Sequence, residues 1–76
     1  MPIYQSLTAL YAMAIYYDGI KTFQTIRPEY VEPTKKLAAE DYSDLTILYA
    51  FRKGYITQKE YDETMAYKAA FQKPTL

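Results

Sequence analysis

The stretch Arg-Lys-Gly-Tyr-Ile-Thr-Gln-Lys-Glu-Tyr, residues 52–61, constrains this chain more than any other. Gly54 follows a basic last turn, the place where a helix passes into a left-handed residue that glycine adopts without a Cβ penalty. Thr57 and Glu60 form a capping box, each side chain satisfying the other's orphan backbone N–H, so a second helix begins at Gln58. Ile56, just before the cap, is placed to staple against Tyr61. Gly54, Ile56, Thr57 and Glu60 therefore specify a structural corner between two helices.

The helix entering that corner is equally well marked. Ser43 is its N-cap, Asp44 lies in the first turn where the helix dipole favours negative charge, and Arg52 and Lys53 lie in the last. Leu45, Leu48 and Tyr49 form one apolar row, and Ile47 with Phe51 widens the arc past half the circumference. That breadth predicts the central helix of the fold. In the helix after the corner, Tyr61, Met65 and Ala69 are the expected inward row and Pro74 the stop, so the hairpin spans about 43–73.

Toward the N-terminus, residues 6–18 predict another helix, with Ser6 as N-cap and Gly19 as the stop. It is apolar nearly all round. Leu7, Leu10, Tyr11, Ala14 and Tyr17 fall on one side, Ala9, Ala12, Met13 and Tyr16 on the other, and Thr8 interrupts them. A helix of that kind is normally buried on both sides. Residues 20–33 remain open between short helix and extended segment: Ile20, Phe23 and Ile26 recur every third residue, while Pro28 and Pro33 push Arg27 and Glu32 toward extended backbone. Pro33 is expected to open a short helix over about 34–41, through Lys35, Leu37 and Glu40. The reading is an all-α fold: one domain over 1–76, a small bundle of three to four helices with a C-terminal helical hairpin.

Composition bears on function mainly by exclusion. A chain of 76 residues with neither His nor Cys lacks the usual ligands for zinc, copper or iron–sulfur centres and has no ordinary triad. Both serines, Ser6 and Ser43, are accounted for as caps, and Gly19 and Gly54 stand alone rather than in a phosphate-binding loop. The acidic groups Glu40/Asp41/Asp44 and Glu60/Asp62/Glu63 belong to helix first turns or their flanks and lack EF-hand spacing. No catalytic residue, metal or cofactor is expected. Nine basic residues balance nine acidic ones, which argues against nucleic acid, and the longest apolar run is too short to span a membrane. No secretory signal is expected, the chain reading as mature from Met1.

A domain this small needs a staple beyond its own core, and without cysteine or metal the remaining one is assembly. Ten tyrosines support that expectation, because tyrosine offers a broad apolar face and a polar tip at low entropic cost. Tyr11, Met13, Tyr16, Tyr17, Tyr30 and Tyr55 are the candidate partner-binding residues, with Tyr4 and Tyr67 also in excess of one core. The expected partner is protein, either further copies in a homo-oligomer or the other subunits of a larger assembly.

The run Asp-Leu-Thr-Ile-Leu-Tyr-Ala-Phe-Arg-Lys-Gly-Tyr-Ile-Thr-Gln-Lys-Glu-Tyr-Asp-Glu-Thr, residues 44–64, resembles the XkdX-like short phage tail-module proteins. Asp44, Leu45, Gly54, Ile56, Thr57, Glu60, Tyr61 and Glu63 carry the likeness. Helical hairpins of the SHOCT type resemble the same stretch. The phage resemblance implies a small structural or accessory component without catalytic residues, located in the virion or the host cytoplasm. The alternative from another class is a phage-encoded inhibitor or adaptor that blocks one host protein through an aromatic hot spot.

Overall fold

In a computed structural model, which describes residues 3–71, four α-helices enclose one core: α1 (Gln5–Ala12), α2 (Val31–Asp41), α3 (Asp44–Arg52) and α4 (Gln58–Phe71). The fold is the small all-α bundle, with no strand among the described residues. The expected helix stop at Pro74 and the hairpin's end at residue 73 lie outside the described residues.

Helix α1 begins two residues earlier than a cap at Ser6 would place it, with Tyr4 in extended conformation before it and no side-chain cap. The Tyr4 carbonyl instead accepts both the N–H of Thr8, at 3.0 Å, and its hydroxyl, at 2.9 Å. That bond lets Thr8 sit buried in the helix side facing the core. After Ala12 the helix widens into a π-helical turn, Met13–Tyr17, whose Met13 carbonyl accepts the Asp18 N–H at 3.1 Å. Gly19, at φ +65°, then reverses the chain, and the N–H of Ile20 returns to the Ala14 carbonyl at 3.0 Å. The extra residue in the turn allows Ala14, Ile15 and Tyr16, three in succession, to be buried.

The segment that was open in sequence is irregular up to Pro28, with Phe23 and Ile26 plugged into the core. Arg27 is extended, as its proline requires, and Pro28–Tyr30 forms a single 3₁₀ turn that runs directly into α2. Pro33 does not open α2. It is the third helical residue, where its missing N–H has no intrahelical partner to lose, and Glu32 is helical rather than extended.

Helix α2, not α3, is central: it packs on α1 and on α4 and buries Thr34, Lys35, Leu37, Ala38 and Ala39. Ala12, Ala38 and Ala50 are wholly buried, small residues on three helices that let the backbones approach around Ile15 and Ile47. Helix α3 turns Ile47 and Ala50 inward. Leu45 and Tyr49, expected inside, are 67% and 62% exposed, because its apolar arc is wider than the one face this bundle can cover.

The corner has the expected geometry. Ser43 Oγ accepts the Thr46 N–H at 3.2 Å at the start of α3. At its end the Gly54 N–H reaches the Phe51 carbonyl at 3.0 Å and the Tyr55 N–H the Ala50 carbonyl at 2.9 Å, a Schellman pair closed by Gly54 at φ +81°. The Thr57 N–H donates to Glu60 Oε1 at 2.8 Å and the Glu60 N–H to Thr57 Oγ1 at 3.2 Å. Ile56 is buried beneath.

Candidate functional site

Helix α4 buries a row its sequence does not advertise. Tyr61 and Met65 lie only part-way in and Ala69 is exposed, while Glu60, Thr64 and Lys68, at i, i+4 and i+8, face the core. Each polar group in this row has a partner. Glu60 Oε2 accepts from Gln24 Nε2 at 2.9 Å, tying the irregular segment to the corner. Thr64 Oγ1 donates to the Glu60 carbonyl and stands 2.6 Å from the Tyr16 hydroxyl. Lys68 Nζ donates to the Ala39 and Tyr42 carbonyls, at 3.2 and 2.5 Å, with Asp44 Oδ1 3.5 Å away. It thus caps the C-terminal end of α2, where carbonyls lack helical partners and the dipole favours a cation. One turn of α4 away, the buried Lys35 reaches Glu63 Oε1 and lies 5.2 Å from the centre of the Phe23 ring. That hydrogen bond holds the Glu63 carboxyl below its ordinary range.

These interactions belong to architecture, and they relocate two of the expected partner-binding residues. Tyr16 is 2% exposed and is part of the core, its ring meeting Phe23 and Tyr42 edge-on. Burial raises its phenol well above the usual value, against the opposing effect of the Thr64 hydrogen bond. Tyr30 is 3% exposed, edge-on to Tyr11, and its hydroxyl accepts the Tyr4 N–H at 3.2 Å. Neither can present a face to a partner in this fold. Tyr11 and Tyr55 are half-buried against the core, as are Tyr42 and Tyr61, while Tyr67 lies part-covered at the surface with its hydroxyl bonded to Glu32. One core therefore absorbs far more tyrosine than its size suggests, because edge-on packing and paired hydroxyls satisfy both parts of the side chain.

What remains outside is a coherent apolar surface. Met13, expected at an interface, is exposed and lines one depression with Leu10 and Ile20, and Tyr17, also expected there, is exposed at the end of the same π-turn. Tyr17 lines a second depression with Tyr49, Tyr55 and Lys53, so this surface continues onto α3. There Leu45, Leu48, Tyr49 and Arg52 line a shallow groove. Tyr49 and Leu45 are the residues that sequence reasoning placed inside; the signal that could have freed them is the breadth of the apolar arc on α3. Lys53 Nζ lies 6.0 Å from the Tyr49 ring centre and 5.9 Å from that of Tyr55, holding the rim of the depression together.

Among the described residues no group of three His, Cys, Asp or Glu side chains could hold a metal ion, and no helix is long and apolar enough to cross a membrane. Comparison with known proteins finds no family model, no curated protein and no solved structure that matches this chain.

Proposed function

We propose that this chain is a small non-enzymatic protein that works by protein–protein assembly through the outer surface of its first helix and α3. The observation that carries the reading is the apolar surface of Leu10, Met13, Tyr17 and Ile20, continued by Tyr49 and Leu45, each more than half exposed. Contiguous apolar patches of this kind on a small soluble domain mark contact sites, and aromatic residues and Met are enriched in them. The likeness of residues 44–64 to short phage tail-module proteins supports a structural or accessory component of a phage particle.

Sedimentation of the purified chain at micromolar concentration, together with co-expression alongside the products of its neighbouring genes, tests the reading. Association with itself or with a particle protein is the expected result, the latter weakened in Met13→Lys and Tyr17→Lys. A stable monomer that binds none of those products would sink it, and recovery of one host enzyme instead would make the chain an inhibitor or adaptor.

A further inference from the structure

Resting on that assembly reading, we infer that the α3 part of the surface pairs with a second copy of the same chain, the two α3 helices running antiparallel. Leu45, Leu48, Tyr49 and Arg52 recur at i, i+3, i+4 and i+7, the spacing of a helix–helix seam. Arg52 is the last residue of this row, and Asp44, one position before Leu45 and about 100° around the helix from it, flanks the row at its other end. With its flank, the row is thus negative, apolar, then positive along its length.

That order decides the occupant and its direction. A two-fold axis near Leu48 sets Asp44 of one copy opposite Arg52 of the other, twice over, with Leu48 against Leu48 between them. Such an isologous contact uses one patch on both subunits. A parallel pair would oppose Asp44 to Asp44 and Arg52 to Arg52, and like charges across an interface are strongly unfavourable. Antiparallel pairing also sets the positive N-terminal end of each helix beside the negative C-terminal end of the other. Asp44 remains available for this contact, its side chain 67% exposed even with Lys68 at 3.5 Å, and Arg52 has no ion pair among the described residues. A helix of nine residues is about 13 Å long, so the paired surface is small.

Charge reversal gives a test with a built-in rescue. Arg52→Glu and Asp44→Arg should each weaken self-association at least about tenfold. An equimolar mixture of the two variants should restore it, because each reversed end then meets an opposite charge on the other chain. Circular dichroism of each variant controls for folding. Since the chain has no cysteine, Leu48→Cys in otherwise native protein supplies a second readout: it should form a disulfide-linked dimer on oxidation faster than Met13→Cys. Sedimentation that ignores both charge reversals, or crosslinking no faster at Leu48 than at Met13, overturns the α3 seam while leaving assembly through the first helix intact. A native chain that stays monomeric at the highest concentration reached also overturns the seam, and the co-expression experiment then decides the assembly reading separately.

Discussion

The ring of Tyr55 lies directly on Gly19. A Cβ at that glycine would stand 2.3 Å from Tyr55 Cε1, so the residue that ends the first helix is held by the residue just past the end of α3. The two left-handed glycines are therefore not equivalent, since a Cβ at Gly54 meets nothing within 4 Å.

Gly54→Ala should cost only the left-handed strain, about 1–2 kcal/mol. Gly19→Ala carries the same strain and must also displace the Tyr55 ring, so its melting temperature should fall further. In a double-mutant cycle, Tyr55→Ala should make Gly19→Ala cheaper and leave Gly54→Ala unchanged. Equal losses at the two glycines would mean that the Tyr55 contact carries no weight.

Replacing Lys68 by Met preserves much of the side chain's length and removes its ammonium group. The Ala39 and Tyr42 carbonyls then lose their donor at a buried site, a loss of about 1–3 kcal/mol. Thermal denaturation should show a drop of several degrees. A melting temperature unchanged from that of the native chain would show that the lysine merely covers the end of α2.

Thr34 presents the opposite case. It is wholly buried and its Oγ1 has no hydrogen-bond partner among the described residues. Thr34→Val keeps the shape and removes the unpaired hydroxyl, and it should stabilise the fold by up to about 1–2 kcal/mol. Chemical denaturation at neutral pH measures this directly, and a destabilised variant would contradict the assignment.

Alkaline pH should expose the buried phenols. Burial raises Tyr16 well above the usual 10.0 and pushes Tyr42 up to about 12, the latter with help from neighbouring Tyr17. Below about pH 10 these groups are protonated in folded and unfolded chains alike and do not alter stability. Above it the unfolded chain loses protons that the folded chain keeps, so stability falls, by up to about 1.4 kcal/mol per pH unit for the buried Tyr16 and by less for Tyr42, whose half-exposed ring is screened by solvent. Tyr16→Phe lowers stability at pH 8 through the lost Thr64 hydrogen bond, yet it should flatten the alkaline slope. The same slope in Tyr16→Phe would place the sensitivity elsewhere.

Where the sequence was legible, the chemistry was local. Ser43, Gly54, Thr57 and Glu60 act on backbone groups within a few residues, so their spacing alone determines what they do. Inside and outside were harder to read for the first helix. At 100° per residue Thr8, Ala12, Ile15 and Tyr16 share one side of the first helix, and Met13 lies beyond its edge; the threonine that breaks the apolar pattern marks the buried side, because its hydroxyl is satisfied by the Tyr4 carbonyl. Tyr16 enters the core and Met13 stays out. The polar row of α4 was illegible for a different reason. Glu60, Thr64 and Lys68 are buried only because Gln24, Tyr16 and the end of α2 present partners to them, and no periodicity in α4 encodes those partners.

Sedimentation equilibrium of the native chain beside Met13→Lys and Tyr49→Lys tests the central claim most directly, with circular dichroism melts run on the same samples. Both substitutions fall on exposed positions outside the core, so helix content should hold in each; Tyr49→Lys should sharply weaken association of the chain with itself, and Met13→Lys its association with a co-expressed partner. If the native chain and both variants instead associate equally, or the variants lose their helix content before any association is lost, then the outer apolar surface is not the contact surface and the assembly account fails.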